Sequence, residues 1–253
     1  MAEKKALASL VLKLALVVFV LVLGVLAFIL FMPAAPPAPA ENPAAAPPPP
    51  VASTASRLRY EAQPSGSEMK LDGDSSAHKW TCIGKIISGY FETEPAWQKD
   101  LTLKSVTCLG AGKSPKCEIK VPVRTLKSQV SVGSSIMDSR MQSEMNAKTY
   151  PHIVYQLTEM IIKGEVPASG SPVTFDTKGV LMVSGKTNTT AFPVIMERVG
   201  TDSLKFTGTL DTTMTACGVK PPEFTVMGVG MRAHDPIKLT WTWVTTIKTP
   251  EAK

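Results

Sequence analysis

Leu239-Thr240-Trp241-Thr242-Trp243-Val244-Thr245-Thr246-Ile247-Lys248 decides the fold. Positions 239, 241, 243, 245 and 247 form one series, and the residues between them are mostly threonine. Alternation of period two sends successive side chains to opposite faces of a strand, so one face is buried and the other meets water. Cys117, Ile119, Val121 and Val123 alternate in the same way with Glu118, Lys120 and Pro122. Shorter strand-like runs occupy Trp80–Gly84, Ile86–Phe91, Leu101–Leu109, Ile153–Thr158, Val173–Thr177, Val180–Lys186, Phe192–Val199, Leu204–Leu210 and Phe224–Met231, separated by Gly, Pro, Asp and Ser. So many strands without regular helices between them predict an all-β fold, an antiparallel barrel or a sandwich.

One segment breaks the pattern. Between Ser135 and Ala147, Met137, Met141 and Met145 recur at every fourth residue with Asp138, Arg140 and Glu144 elsewhere, which is helical spacing with one apolar stripe. A short helix over one end of the β-structure is expected. Its methionines serve either ordinary packing or a flexible apolar ligand, since methionine adapts to both.

Outward from this domain toward the N-terminus, the character changes. From Pro33 to Pro50 nine of eighteen residues are proline and most of the rest are alanine, a composition that favours extended polyproline II and suits a spacer of about 55 Å. The uncharged run Leu14–Met32 is 19 residues long, enough for a helix of about 28 Å against a hydrocarbon core of about 30 Å. Lys4, Lys5 and Lys13 precede it and the next charge beyond is Glu41, so the positive-inside bias places residues 1–13 in the cytoplasm. The expected organisation is a cytoplasmic segment 1–13, a transmembrane signal anchor 14–32, a Pro/Ala-rich disordered linker 33–56 and a β domain 57–253. The domain then lies on the periplasmic side of the inner (cytoplasmic) membrane, attached by a single pass. A cleaved signal peptide ending at Ala38-Pro39-Ala40 is the competing reading, against which the length of the apolar run counts.

The formal charge of the whole chain is +6. Within the domain the basic residues are scattered rather than clustered, which argues against a nucleic-acid partner. Cys82, Cys108, Cys117 and Cys217 fall where disulfides persist. Cys108 and Cys117 flank the turn Gly110-Ala-Gly-Lys-Ser-Pro115 and are the favoured bridge across a hairpin. Cys82 with Cys217 would complete the set, although four cysteines allow three connectivities. No zinc or redox spacing of cysteines is present, and His78, His152 and His234 lack a partner at metal-ligating spacing.

Catalytic signatures fail on inspection. Gly185-Lys186-Thr187 would end a phosphate loop only if position 180 were glycine, and it is Val180. Gly228-Val-Gly230-Met-Arg-Ala233 is followed by His234-Asp-Pro236 where a dinucleotide-binding helix would have to run. No Gly-x-Ser-x-Gly elbow occurs. No enzyme activity, catalytic residue, metal or conventional cofactor is therefore expected.

Several stretches carry a family resemblance through their order and spacing. These are Ser75-Ser-Ala-His78-Lys-Trp80, Gly89-Tyr-Phe-Glu92, Val121-Pro-Val-Arg124-Thr-Leu-Lys-Ser128, Asp138-Ser-Arg140-Met141, Asn146-Ala-Lys-Thr-Tyr150-Pro151-His-Ile153, Val183-Ser-Gly-Lys-Thr187-Asn188 and Met214-Thr-Ala-Cys-Gly218-Val-Lys-Pro-Pro222. From about Ser75 to Val244 the chain resembles the YceI-like proteins. It departs from them at Ala216-Cys217, where many such proteins have an acidic residue and an aromatic, and in its anchor and stalk. The resemblance implies a lipocalin-like antiparallel barrel of about eight strands whose interior holds an isoprenoid-type, fatty-acid-like or other amphiphilic lipid. On that reading Trp80, Phe91, Met137, Met141, Met145, Phe206, Met214 and Trp241 line an apolar cavity in a non-catalytic, membrane-tethered carrier whose protein partner is unknown. The alternative is an envelope scaffold in which Trp80, Phe91, Phe206, Trp241 and Trp243 fill the barrel.

Overall fold

The computed structural model describes residues 57–248 apart from positions 111, 132, 167, 169, 227 and 228, so the expected anchor (14–32) and linker (33–56) lie outside the described residues. The elements are β1 (Leu58–Ala62), β2 (Glu68–Ser75), β3 (Trp80–Gly84), β4 (Ser88–Thr93), α1 (Ala96–Lys99), β5 (Lys116–Pro122) and β6 (Lys127–Ser128). There follow α2 (Ser134–Glu144), β7 (His152–Ile162), β8 (Val173–Val183), β9 (Lys186–Val199), β10 (Ser203–Thr213), β11 (Glu223–Val226) and β12 (Val229–Ile247). A 3₁₀ turn, Val123–Thr125, joins β5 to β6.

Antiparallel ladders run β1-β4-β5-β7-β8-β9-β10-β12 and return to β1, closing a barrel of eight strands. β12 makes this closure possible because it is 19 residues long. Its last residues pair with β1 (Tyr60 opposite Ile247), while the stretch from Ala233 to Thr242 pairs with β2. β1 and β2 thus share one edge of β12 end to end. The next two positions are split likewise: β3 pairs with β2 and β4 with β1, then β6 pairs with β3 and β5 with β4. On the β2-β3-β6 side, which we call the upper end, no ladder among the described residues continues from β6 to β7. α2 packs against β6 there.

The alternation read from the sequence becomes the inside and outside of this barrel. Along β8 the inward residues Val173, Phe175, Thr177, Leu181 and Val183 are buried, whereas Asp176, Lys178 and Met182 are exposed. Trp243 is 1 % exposed and Trp241, one step inward along the same face, is half-buried.

The lower end is closed by a plug. Trp97 of α1 is fully buried, stacked on Phe175 (centroids 6.1 Å apart) and edge-on to Phe91 (5.2 Å). Its indole N–H donates to Cys108 Sγ at 2.9 Å, and its carbonyl accepts from the Arg198 guanidinium.

Two expectations are corrected here. Leu101–Leu109 is not a strand but a run of turns organised by Asp100, whose Oδ1 accepts from the Thr102 amide (2.9 Å) and whose Oδ2 accepts from the Ser105 amide (2.7 Å). Hydrogen bonds from the Ser105 and Thr102 hydroxyls hold the Asp100 carboxyl well below the usual carboxylate range. The apolar spacing of Leu103, Val106 and Cys108 is satisfied by burial in the plug instead of by a ladder. Consequently the hairpin that would join Cys108 to Cys117 does not exist. Cys117 stands opposite Phe91 of β4, Cys108 bonds to Trp97, and all four cysteines are free thiols. Reductant is expected to leave the melting temperature of the domain unchanged. A fall of several degrees on reduction, or a bridged 108–117 peptide in a non-reducing map, would contradict this.

Candidate functional site

Inside the barrel, two regions are distinguished by their walls. A cavity of about 860 Å³ occupies the upper end, and a chamber of about 90 Å³ lies toward the base. Leu181 of β8 and Leu239 of β12 belong to both walls. The eight residues expected at an apolar site divide between them. Trp80, Met137, Met141, Met145 and Met214 line the upper cavity, and Phe91, Phe206 and Trp241 line the lower chamber.

The tryptophans leave the lumen open because glycines stand beside them. Trp80 opens β3 opposite Gly73, and its ring lies so flat on that residue that a Cβ there would come within 2.1 Å of Cζ2. Its indole N–H donates to the Asp74 carbonyl at 3.0 Å. Trp241 lies over its partner Gly208 in the same manner, with 2.3 Å to a Cβ. Each ring is thereby laid along the wall rather than across the interior. Filling is confined to the base, where Phe91, Phe206, Trp97 and Trp243 pack ring on ring; Phe91 and Phe206 centroids are 5.1 Å apart, and those of Phe206 and Trp243 5.6 Å.

α2 roofs the upper cavity. It was expected over Ser135–Ala147 and ends at Glu144, because Asn146 adopts a left-handed backbone (φ +50°) that turns the chain toward β7. Met137 and Met141 are half-buried and Met145 is buried. The helix is strung between two parts of the barrel. Asp138 Oδ1 accepts from the Ser128 amide of β6 at 2.7 Å, and Asp138 pairs with Lys127 at 3.3 Å. On the other side Arg140 Nη2 donates to the Glu223 carbonyl of β11 at 2.8 Å. Arg140 is exposed, yet it also ties the roof to the β11–β12 hairpin.

A second cover comes from the segment after β10. Met214 and Cys217 are buried there, and the turn is held by Asp235, whose carboxylate oxygens accept from the Thr215 amide (2.9 Å) and hydroxyl (2.6 Å). Asn188 Nδ2 adds a bond to the Ala216 carbonyl at 2.7 Å, and Lys186 Nζ one to the Thr215 carbonyl at 3.1 Å. The Thr215 bonds lower the pKa of Asp235. A carboxyl depressed on folding stabilises above its unfolded pKa and loses that contribution as pH falls through its folded one. The protection factors of residues 214–219, which divide out the intrinsic pH dependence of amide exchange, are therefore expected to be high and flat between about pH 5 and 8, and to fall as Asp235 is protonated below that range. Asp235→Asn should lower these protection factors at neutral pH and flatten the acid step; an unchanged profile in that variant would exclude Asp235 as the latch.

The walls are mostly apolar. None of the lower-chamber residues is charged, and the ionisable side chains of the upper wall include Arg140 and Glu144, paired at 3.8 Å. Burial pushes the Cys82 thiol up to about 12, which leaves it a poor nucleophile. Among the described residues, no three His, Cys, Asp or Glu side chains are grouped to hold a metal. Sequence reading did not single out Trp97, Tyr155 or Leu181 as parts of this interior. Leu181 and Tyr155 stand in recognised strands, but their facing across β7–β8 follows from the register, Tyr155 opposite Leu181.

The model of the YceI-like domain matches residues 60–242, from β1 to the middle of β12. The chain belongs to the YceI-like family. A solved structure of similar fold is that of BcnA of Burkholderia cenocepacia, 17 % identical with a TM-score of 0.50 over 73 % of this chain and 99 % of its own. Another, from Saccharophagus degradans, is described as a polyisoprenoid binding domain implicated in plant cell wall breakdown; it is 11 % identical, with a TM-score of 0.53 over 76 % of this chain and 99 % of its own. At these identities the likeness speaks to the fold. No curated protein matches the chain. Among the described residues no helix is long and apolar enough to cross a membrane.

Proposed function

We propose that this YceI-like barrel carries or sequesters an isoprenoid-type or other amphiphilic lipid and does not alter it chemically. The observation that carries the reading is the upper cavity. At about 860 Å³ it falls within the roughly 300–1,000 Å³ usual for small-molecule sites. Its apolar walls and methionine roof suit a slender, flexible hydrocarbon, which binds by leaving water. A relative of the same fold, the Saccharophagus degradans domain, carries polyisoprenoid binding in its description. The same reading includes tethering by Leu14–Met32, with the domain held by the Pro/Ala linker on the periplasmic side of the inner membrane.

The test is native mass spectrometry of the full chain purified from its own membranes. Mass increments that vanish on organic extraction, with the extracted species identified as a lipid, are the expected result. A bare polypeptide mass in every preparation would overturn the reading. Fractionation tests the tether: the chain should sediment with membranes and lose the barrel to an external protease, whereas a soluble chain beginning near Glu41 would exclude it.

A further inference from the structure

Sulfur is concentrated under the roof of the barrel. Five methionines and two cysteines line the upper cavity, and because they come from α2, β3, β12 and the segment after β10, the fold rather than one helix brings them together. Cys82 of β3 is 1 % exposed, and its thiol is free and forms no hydrogen bond to a described residue. Its ladder partner is Ser128 of β6, which is also buried; side chains so paired stand about 4.5–5.5 Å apart at Cβ. The Ser128 hydroxyl in turn donates to Met137 Sδ at 3.1 Å. A thiol and a thioether therefore flank one hydroxyl. Met141 follows Met137 by one turn of α2, about 5–6 Å away at Cβ, and lines the same cavity.

Thiol and thioether sulfur are soft donors, and among biological metals they favour Cu(I). Accepting from Ser128 leaves Met137 Sδ a second lone pair. Burial holds the Cys82 thiol in its protonated form, so a metal would replace the proton: the S–H bond breaks, a sulfur–metal bond forms and the proton leaves to solvent. The charges nearby are already balanced. Asp138, which faces Cys82, is paired with Lys127 at 3.3 Å, and Arg140 is paired with Glu144 at 3.8 Å; the other titratable groups of the wall are His78 and Cys217. One thiolate with a monovalent ion adds no net charge to this apolar wall, whereas a divalent ion would leave a positive charge buried without a partner.

We propose that Cys82, Met137 and Met141 form a site for Cu(I) beneath the roof, the Cys82 thiolate and the two thioethers giving a three-coordinate set. The anchor that holds α2 to β6, Asp138 on the Ser128 amide, also holds Met137 beside Cys82. No spacing of cysteine or histidine in the sequence signals such a site, since its donors stand on β3 and α2. Lipid is not required for it; hydrocarbon beneath the roof would compete for the same methionines.

The experiment titrates Cu(I), under ascorbate and without oxygen, into the delipidated full chain in detergent, with a chromophoric Cu(I) chelator as competitor. One ion per chain, held against the chelator and showing a thiolate-to-metal charge-transfer band in the near ultraviolet, is the expected result. Cys82→Ala should abolish the band and weaken binding by more than about a hundredfold, beyond the roughly 10–100-fold that loss of a supporting partner costs. Met137→Leu and Met141→Leu, which keep the apolar surface, should each weaken binding about tenfold and keep the band. Met182→Leu, at an exposed methionine of β8, should change nothing. Zn(II) should bind the unaltered chain no more tightly than it binds Cys82→Ala. Failure to hold Cu(I) against the chelator, an unchanged band in Cys82→Ala, or loss of the band in Cys217→Ala instead would overturn the site. If Cys82→Ala does not fold, the double variant Met137→Leu/Met141→Leu decides: a loss no larger than that of Met182→Leu overturns the site. Zn(II) binding as tight as that of Cu(I) would overturn the selection of a monovalent ion.

Discussion

Replacing Trp97 by alanine is expected to lower the melting temperature of the barrel by about 8–16 °C. The figure follows from about 4 kcal/mol for truncating a fully buried tryptophan, at about 2–4 °C per kcal/mol for a domain of this size. Trp97 is 0 % exposed and contacts Phe91 and Phe175 ring to ring, so its removal leaves a void where the base is most densely aromatic. Cys108 would also lose the indole N–H that reaches its sulfur. The plug itself should stay attached. Arg198 bonds the main-chain carbonyl of residue 97, which survives the substitution, and Glu94 holds the Thr107 amide and hydroxyl at the far end of the loop. The expected variant is therefore a folded barrel with a loosened base, unchanged strand content and a lower melting point. A shift of less than about 2 °C would show that the plug contributes little to the core.

The same residue marks where sequence reading stops. Strand faces are legible because burial on one side enforces period two, and the series Leu239, Trp241, Trp243, Thr245 of β12 is the inward one. Strand lengths were not. β9 begins at Lys186, six residues before the expected Phe192, because Lys186-Thr-Asn-Thr-Thr-Ala carries almost no apolar signal at the polar rim. β8 runs unbroken through Gly179, which reads as punctuation in sequence and in the barrel makes room for Tyr155. β1 and β2 escaped notice since neither contains a long apolar run; they are strands because β12 offers its edge to both in succession. Leu101–Leu109 failed in the opposite sense, since a loop that buries alternate residues beneath a barrel mimics a strand. At the site, the methionine stripe was legible from spacing along one helix. The facing of Tyr155 and Leu181 inside the barrel was not, because it depends on the register between β7 and β8.

Replacing Met141 by glutamate is expected to reduce the lipid carried per folded chain about thirtyfold or more. Met141 is half-buried on the underside of α2, and Met145, one turn further on, is buried. With hydrocarbon beneath the roof, a carboxylate at 141 would have to lie against it or force α2 away; burying an unbonded polar group costs about 2–3 kcal/mol, which sets the fold-change. The fold should tolerate the substitution, since α2 is fastened through Asp138 to β6 and through Arg140 to Glu223, neither of which involves residue 141. Strand ladders and the aromatic base lie elsewhere. Met141→Leu, which keeps the apolar surface, should retain most of the lipid and separates polarity from shape. Three results are distinguishable when lipid content is measured on chains of equal melting temperature. Loss in Met141→Glu with retention in Met141→Leu identifies α2 as the roof of the site. Equal loading in both would make the helix a surface feature. Unfolding of Met141→Glu would assign Met141 to the structural core, because a residue that only faces ligand has no role in the stability of the empty barrel.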